Sequence, residues 1–145
     1  MTRKEVHNML DQPRRLAVRI KRLSEEREEL IGILMPGGMS MDDRVQKTPE
    51  DLFAKVMAEV ADLDAEIEGL RIKRADEIIR IRGLLEGDDV RMAVVSLSYI
   101  AQMPMREIAT IVHYSLKSVY RLRGEGLDMV GVKVENNEKT LHGRM

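Results

Sequence analysis

No cysteine and no tryptophan occur among the 145 residues of this chain, and its aromatic residues amount to one phenylalanine, Phe53, and three tyrosines. Without thiols there is no disulfide framework and no thiolate-bound metal centre, and a reducing cytoplasm is the compatible compartment. Also missing is any run of about 18 apolar residues, the length a membrane-spanning helix needs, and the first residues lack the apolar stretch of a secretory signal. The sequence therefore predicts a cytoplasmic chain with no membrane partner. Excess charge is absent too: 24 Lys and Arg stand against 25 Asp and Glu. That balance excludes a protein gripping a polyanion by bulk electrostatics and leaves only local contacts. The scarcity of aromatic and β-branched runs argues against a sheet. What is present, Leu, Ile, Val and 11 Met in a chain that is 34% charged, is the material of helices packed on helices. The expected fold class is all-α.

Thr2 followed three residues later by Glu5 is a capping-box pattern, which predicts a short helix over Arg3–Leu10 with Val6, Met9 and Leu10 on its apolar stripe. Asp11 and Pro13 punctuate it. Leu16, Ile20, Leu23, Leu30 and Leu34 then follow the narrow seam of a coiled coil, with Arg27 in the skipped position. Met35, Pro36, Gly37 and Gly38 stop that helix, and a polar loop of about a dozen residues reaches Thr48. Thr48, Pro49, Glu50 and Asp51 make a strong start for the next helix. Its seam of Leu52, Phe53, Val56, Val60, Leu63, Ile67 and Leu70 resumes after Arg74 as Ile78, Ile81 and Leu85, the step through Arg74 being a stutter.

At 1.5 Å per residue these two helices reach roughly 33 and 55 Å, and they are expected to fold back as an antiparallel coiled-coil hairpin. The first short helix is expected beside residues 78–85. One narrow stripe on each helix buries too little surface for a stable pair, which predicts a homodimer formed through the N-terminal hairpin. Arg27 and Arg74 are read as rim residues with their guanidinium groups in water, or else as buried groups that fix register. Gly87 closes the long helix, Asp88 or Asp89 caps the next, and Met92, Val95, Tyr99 and Ile100 give that helix its stripe. Beyond Val130 there is little to bury. The predicted division is a helical hairpin over residues 1–87, a three-helix domain over 88–130 and a flexible tail over 131–145.

Residues 104–123, PMREIATIVHYSLKSVYRLR, read as two short helices joined by a tight turn. In the first, over 105–112, Ile108, Ala109 and Val112 share the inner face while Arg106 and Glu107 turn outward. His113 stands at the turn, where a left-handed backbone is required. The second opens at Ser115 as its cap, with Val119 and Leu122 facing the core. That leaves Leu116, Lys117, Ser118, Tyr120 and Arg121 outside, on a helix with no acid between Ser115 and Arg123. A helix whose exposed early turns carry Lys, Ser, Tyr and Arg suits the major groove of double-stranded DNA, and its N-terminus suits phosphate. Lys117, Ser118, Tyr120 and Arg121 are the expected base contacts, and Ser115 and Arg123 the expected phosphate contacts.

The stretch EIATIVHYSLKSVYRLRGEGL is similar to the helix-turn-helix of bacterial sigma factor region four, which Glu107, Ile108, Ala109, Ser115, Val119 and Arg121 match in place. Pro104 and His113 depart from that pattern, standing where a capping Thr or Ser and a Gly are usual. Over residues 1–129 the Thr-Arg-Lys-Glu start, the charged hairpin, the segment Asp43, Arg44, Val45, Gln46 and the region-four-like end resemble small phage and prophage sigma-factor-like proteins of the ArpU and RinA type. The resemblance implies a sequence-specific regulator of late phage or prophage transcription that acts at a promoter with host RNA polymerase.

No catalytic chemistry is expected. His7, His113 and His142 lie far apart without acids at ligand spacing, Gly37 and Gly38 lack the Lys-Ser or Lys-Thr of a phosphate loop, and no nucleophile motif stands out. The chain is therefore read as a non-enzyme with no cofactor and no metal. Two other functions fit the same elements. A phage small terminase subunit also combines helical hairpins with a helix-turn-helix but works as a ring on packaging DNA. A coiled-coil adapter would meet an acidic protein and leave DNA alone, even at low salt where phosphate contacts are strongest.

Overall fold

The computed structural model describes residues 1–34 and 49–143, with side chains as far as residue 140. All its regular elements there are helices: α1 (Arg3–Leu10), α2 (Gln12–Leu34), α3 (Glu50–Leu84), α4 (Val90–Tyr99), α5 (Met105–Val112) and α6 (Leu116–Gly143). The protein is all-α over the described residues. The expected polar loop, the Thr48 cap, Gly37, Gly38, Asp43, Arg44, Val45 and Gln46 lie outside them. By internal contacts the chain forms two compact units, one made of Met1–Pro13 with Ala75–Met145, the other of Arg14–Arg74. This is not the division at residue 87 that the sequence suggested. The physical reason is that α1 and the last turns of α3 bury their stripes with α4 and α6.

In the Arg14–Arg74 unit, α2 and α3 run side by side in opposite directions. Leu34, Val56 and Val60 are buried together, with Leu30, Ile31, Phe53 and Met57 packed around them. Further along, Arg27 donates Nε to Asp64 at 2.6 Å and Arg19 donates to Glu66 at 2.8 Å. Partners thus rise along α3 as they fall along α2. Arg27 is a rim residue, about one-third exposed and also 3.3 Å from Glu28. The hydrogen bond it donates to Asp64 holds its guanidinium more firmly protonated than usual.

The second unit has the larger core. Val6, Leu10, Ile81, Leu84, Leu85, Met92, Val95, Tyr99, Leu127 and Val130 are buried in one cluster drawn from α1, α3, α4 and α6 and from the residue after α3. α1 starts with the capping box expected of it, Thr2 Oγ1 accepting from the Glu5 amide and Glu5 accepting from the Thr2 amide. Val6 and Leu10 share that core with Ile81, Leu84 and Leu85, the end of α3 beside which α1 was expected, and α1 also packs along α6, which was not expected. α3 gives way at Gly87, whose φ of 135° is a conformation that L side chains rarely adopt. Asp89 then caps α4, accepting from the Arg91 amide at 2.8 Å and from its guanidinium. The Arg91 side-chain bond, reinforced by the amide, holds the Asp89 carboxyl at a pKa of about 2.

The expected tail is a correction. α6 continues to Gly143, and its stripe of Val119, Leu122, Leu127, Val130 and Val134 follows helical spacing well past the motif. Lys133 donates to the carbonyls of Leu84 and Glu86 and so caps the end of α3. The N-terminal ammonium pairs with Glu135, and Arg3 makes a bidentate pair with Asp128 at 2.8 and 2.9 Å. Gly126 lets α4 and α6 touch backbone to backbone: a Cβ there would lie 2.8 Å from the Arg91 carbonyl oxygen and 2.5 Å from Val95.

Candidate nucleic-acid interface

Pro104 opens α5, its φ of −59° already helical and its carbonyl accepting from the Glu107 and Ile108 amides at 3.0 and 3.1 Å. Glu107 sits in the first turn, where a carboxylate suits the helix dipole. α5 ends at His113, which takes the left-handed conformation (φ 61°, ψ 40°) that the turn requires. The amides of His113 and Tyr114 both donate to the Ala109 carbonyl. Ser115 then caps α6: its Oγ accepts from the Ser118 amide at 3.2 Å and donates to Ser118 Oγ at 2.9 Å. The two helices are held by a small core of Val94, Ile108, Val119 and Leu122, ringed by Val90, Leu97, Met103, Met105, Ala109 and Val112.

At about 100° per residue, burial of Val119 and Leu122 fixes which way α6 faces. Leu116 and Tyr120 form one outward row and Lys117 and Arg121 the row beside it. The side chains obey this. Lys117 and Arg121 are exposed, Tyr120 is 50% exposed and Leu116 37%. No carboxylate occurs between Ile108 and Gly124, whereas Lys117, Arg121 and Arg123 do. The nearest acid is Glu125, 3.6 Å from the Arg121 guanidinium, in an exposed pair of the kind that contributes little.

The six residues singled out in the sequence separate into two groups. Lys117, Tyr120 and Arg121 stand together on the outward face. Ser115 and Ser118 use their hydroxyls on the helix cap, and Arg123 is half-buried and turned toward α5. The Arg123 guanidinium lies over the Tyr120 ring, 5.3 Å from its centre, and donates to the Met105 sulfur at 3.7 Å. Sequence spacing missed this fold-back. The signal was available: Tyr120 and Arg123 are three apart on a helix, a separation at which side chains meet. Ile111 and Tyr114 are also exposed beside the turn.

His7 lies away from this surface, with Nδ1 2.7 Å from the Tyr99 hydroxyl, and burial raises the Tyr99 pKa. Among the described residues no three His, Asp or Glu side chains are grouped to hold a metal ion. None of the described helices is long and apolar enough to cross a membrane. No family model matches this chain, and neither a curated protein nor a solved structure matches it.

Proposed function

We propose that α4, α5 and α6 make a helix-turn-helix that reads double-stranded DNA, and that the protein is a sequence-specific transcription regulator of phage or prophage late genes. The observation that carries this reading is the outward face of α6. It combines a cationic row, Lys117 and Arg121, with a helix N-terminus and an acid-free stretch, in a chain whose net charge is −1. A near-neutral protein with a cationic row inside an acid-free stretch of one helix is suited to a local anionic target. Lys117, Tyr120 and Arg121 face bases; Ser118 joins them when the helix enters the groove; Ser115 and the first free amides of α6 meet phosphate. Arg123 acts through Tyr120, whose ring it supports. The reader is a non-enzyme and works beside RNA polymerase at a promoter.

In this proposal α2 and α3 form a coiled-coil hairpin through which two copies associate. Its support is a second row on α3, Ala58, Ala61, Ala65 and Ile72, which is exposed at coiled-coil spacing although the hairpin's own seam is filled. The test is footprinting of the full chain on DNA flanking its gene, with mass measured in parallel. A protected site and a dimer are expected. Arg121→Ala is expected to relax sequence preference, a specific base contact contributing about 1–3 kcal/mol. A ring of eight or more copies on DNA assigns the packaging role instead. Failure to retain any duplex at low salt removes DNA from the account.

A further inference from the structure

One feature of α6 is not explained by charge: the row next to Lys117 and Arg121 is apolar. Leu116 and Tyr120, four apart on one face, present a methyl-bearing side chain and a ring to solvent, with exposures of 37% and 50%. Exposed large apolar groups are common one at a time, so a single one would mean little. Here two lie in line and parallel to the cationic row, at the N-terminal end of the helix. The ring is also held in place by the Arg123 guanidinium 5.3 Å from its centre. Arg123 is itself anchored on Met105 of α5, so the ring is set before any partner arrives.

On the reading that α6 enters a major groove, we infer that Leu116 and Tyr120 select thymine by its C5-methyl group. That methyl is the one apolar feature of the major-groove base edges, and apolar side chains are what recognise it. Guanine and adenine edges present only donors and acceptors there, so a Leu opposite them gains nothing. A protein partner is the competing occupant of an apolar row. The charge around it favours DNA, because Lys117, Arg121 and Arg123 flank the row and no carboxylate lies between Ile108 and Gly124. The resulting specificity is for a half-site with thymines placed where Leu116 and Tyr120 reach, flanked by bases that Lys117 and Arg121 contact through hydrogen bonds.

The test uses the full chain and a pool of random 20-base-pair duplexes, from which retained sequences are selected and then remade with deoxyuridine in place of single thymidines. Uracil keeps the hydrogen-bonding edge and removes only the methyl. At one or two positions the replacement is expected to weaken binding about four-fold, the equivalent of 0.8 kcal/mol for one apolar carbon left in water. Leu116→Ala should abolish that sensitivity at one position and Tyr120→Ala at another, since each variant lacks the partner of the missing methyl. Both side chains are exposed, and circular dichroism checks that the variants keep their helices. If duplexes are selected but deoxyuridine has no effect at any position, the methyl assignment is overturned while DNA reading stands. If no duplex is retained even at low salt, and the chain instead holds a polymerase subunit through Leu116 and Tyr120, both fall.

Discussion

The Arg14–Arg74 unit and the unit built from the two ends of the chain use the same residue types to different effect. In the first, two helices share one seam, with Leu34, Val56 and Val60 at its centre and the pairs Arg27 with Asp64 and Arg19 with Glu66 along its side. In the second, a continuous core joins ten buried residues from elements far apart in sequence, and Gly126 allows backbone-to-backbone contact at the crossing of α4 and α6. A two-helix seam leaves most of each helix in water, whereas a core shared by four elements buries a wider stripe of each and still leaves the outward face of α6 exposed. On the reading proposed above, the first arrangement is the one a second copy would complete, and the second is the base that would hold α6 in place.

The largest expected effect sets the core of the second unit against that unit's own surface. Ile81 is fully buried and Ile79, two residues before it on the same helix, is 70% exposed. Ile81→Ala should cost about 2–5 kcal/mol through lost burial and a cavity, while Ile79→Ala should stay within about 0.5 kcal/mol of the parent. Chemical denaturation of both variants measures the difference, and equal midpoints would break the contrast.

A smaller effect with opposite signs in the two regions comes from glycine. At Gly126 the added methyl of alanine would press on the Arg91 carbonyl at 2.8 Å, and overpacking of this kind costs about 1–3 kcal/mol. At Gly69 on α3 nothing lies within 4 Å, so alanine should stabilise by about 0.5–1 kcal/mol through the lower helical cost of a residue with a Cβ. Thermal melts of the pair should move in opposite directions. Movement in the same direction would mean that α4 and α6 do not cross as closely as described, or that Gly69 is covered by a partner.

The smallest effect is electrostatic and belongs to the surface of the second unit. Asp89, held at about 2 by Arg91, has a folded-state pKa below the 3.8 of an unperturbed carboxyl. Its contribution to stability is therefore complete above pH 3.8 and is lost as the pH falls through about 2. Asp89→Asn keeps an oxygen for the helix cap and removes the charge. It should flatten the acid limb of the stability profile over that window and leave the profile near neutrality parallel to the parent.

Much of the architecture was legible from local pattern. The capping box at Thr2, the α5 boundaries and the left-handed His113 each depend on a few adjacent residues and elementary stereochemistry, and each stands where the sequence placed it, while of the two caps offered for α4 the structure uses Asp89. The continuation of α6 was not read, because glycines at 124, 126 and 131 and a polar run after Val134 dilute the stripe of Leu127, Val130 and Val134. Those glycines are tolerated for contacts with residues far away in sequence, such as Val95 and Val6, which no local window contains. The candidate surface was legible in the same uneven way. Lys117 and Arg121 stand out because nothing competes for them, whereas Arg123 looked equally free until Met105 was seen beside it.

By itself the sequence determined that the described residues are helical, where α1 and α5 begin and that Ser115 opens α6, and that Ile108, Val119 and Leu122 turn inward, because caps, turns and periodicity act over a handful of residues. Only the tertiary structure decided which helices share a core, that α1 and the end of α3 join α4 and α6, and that Arg123 turns to Tyr120 and Met105. Those outcomes depend on burial between distant segments, and the free energy of burial has no memory of order along the chain.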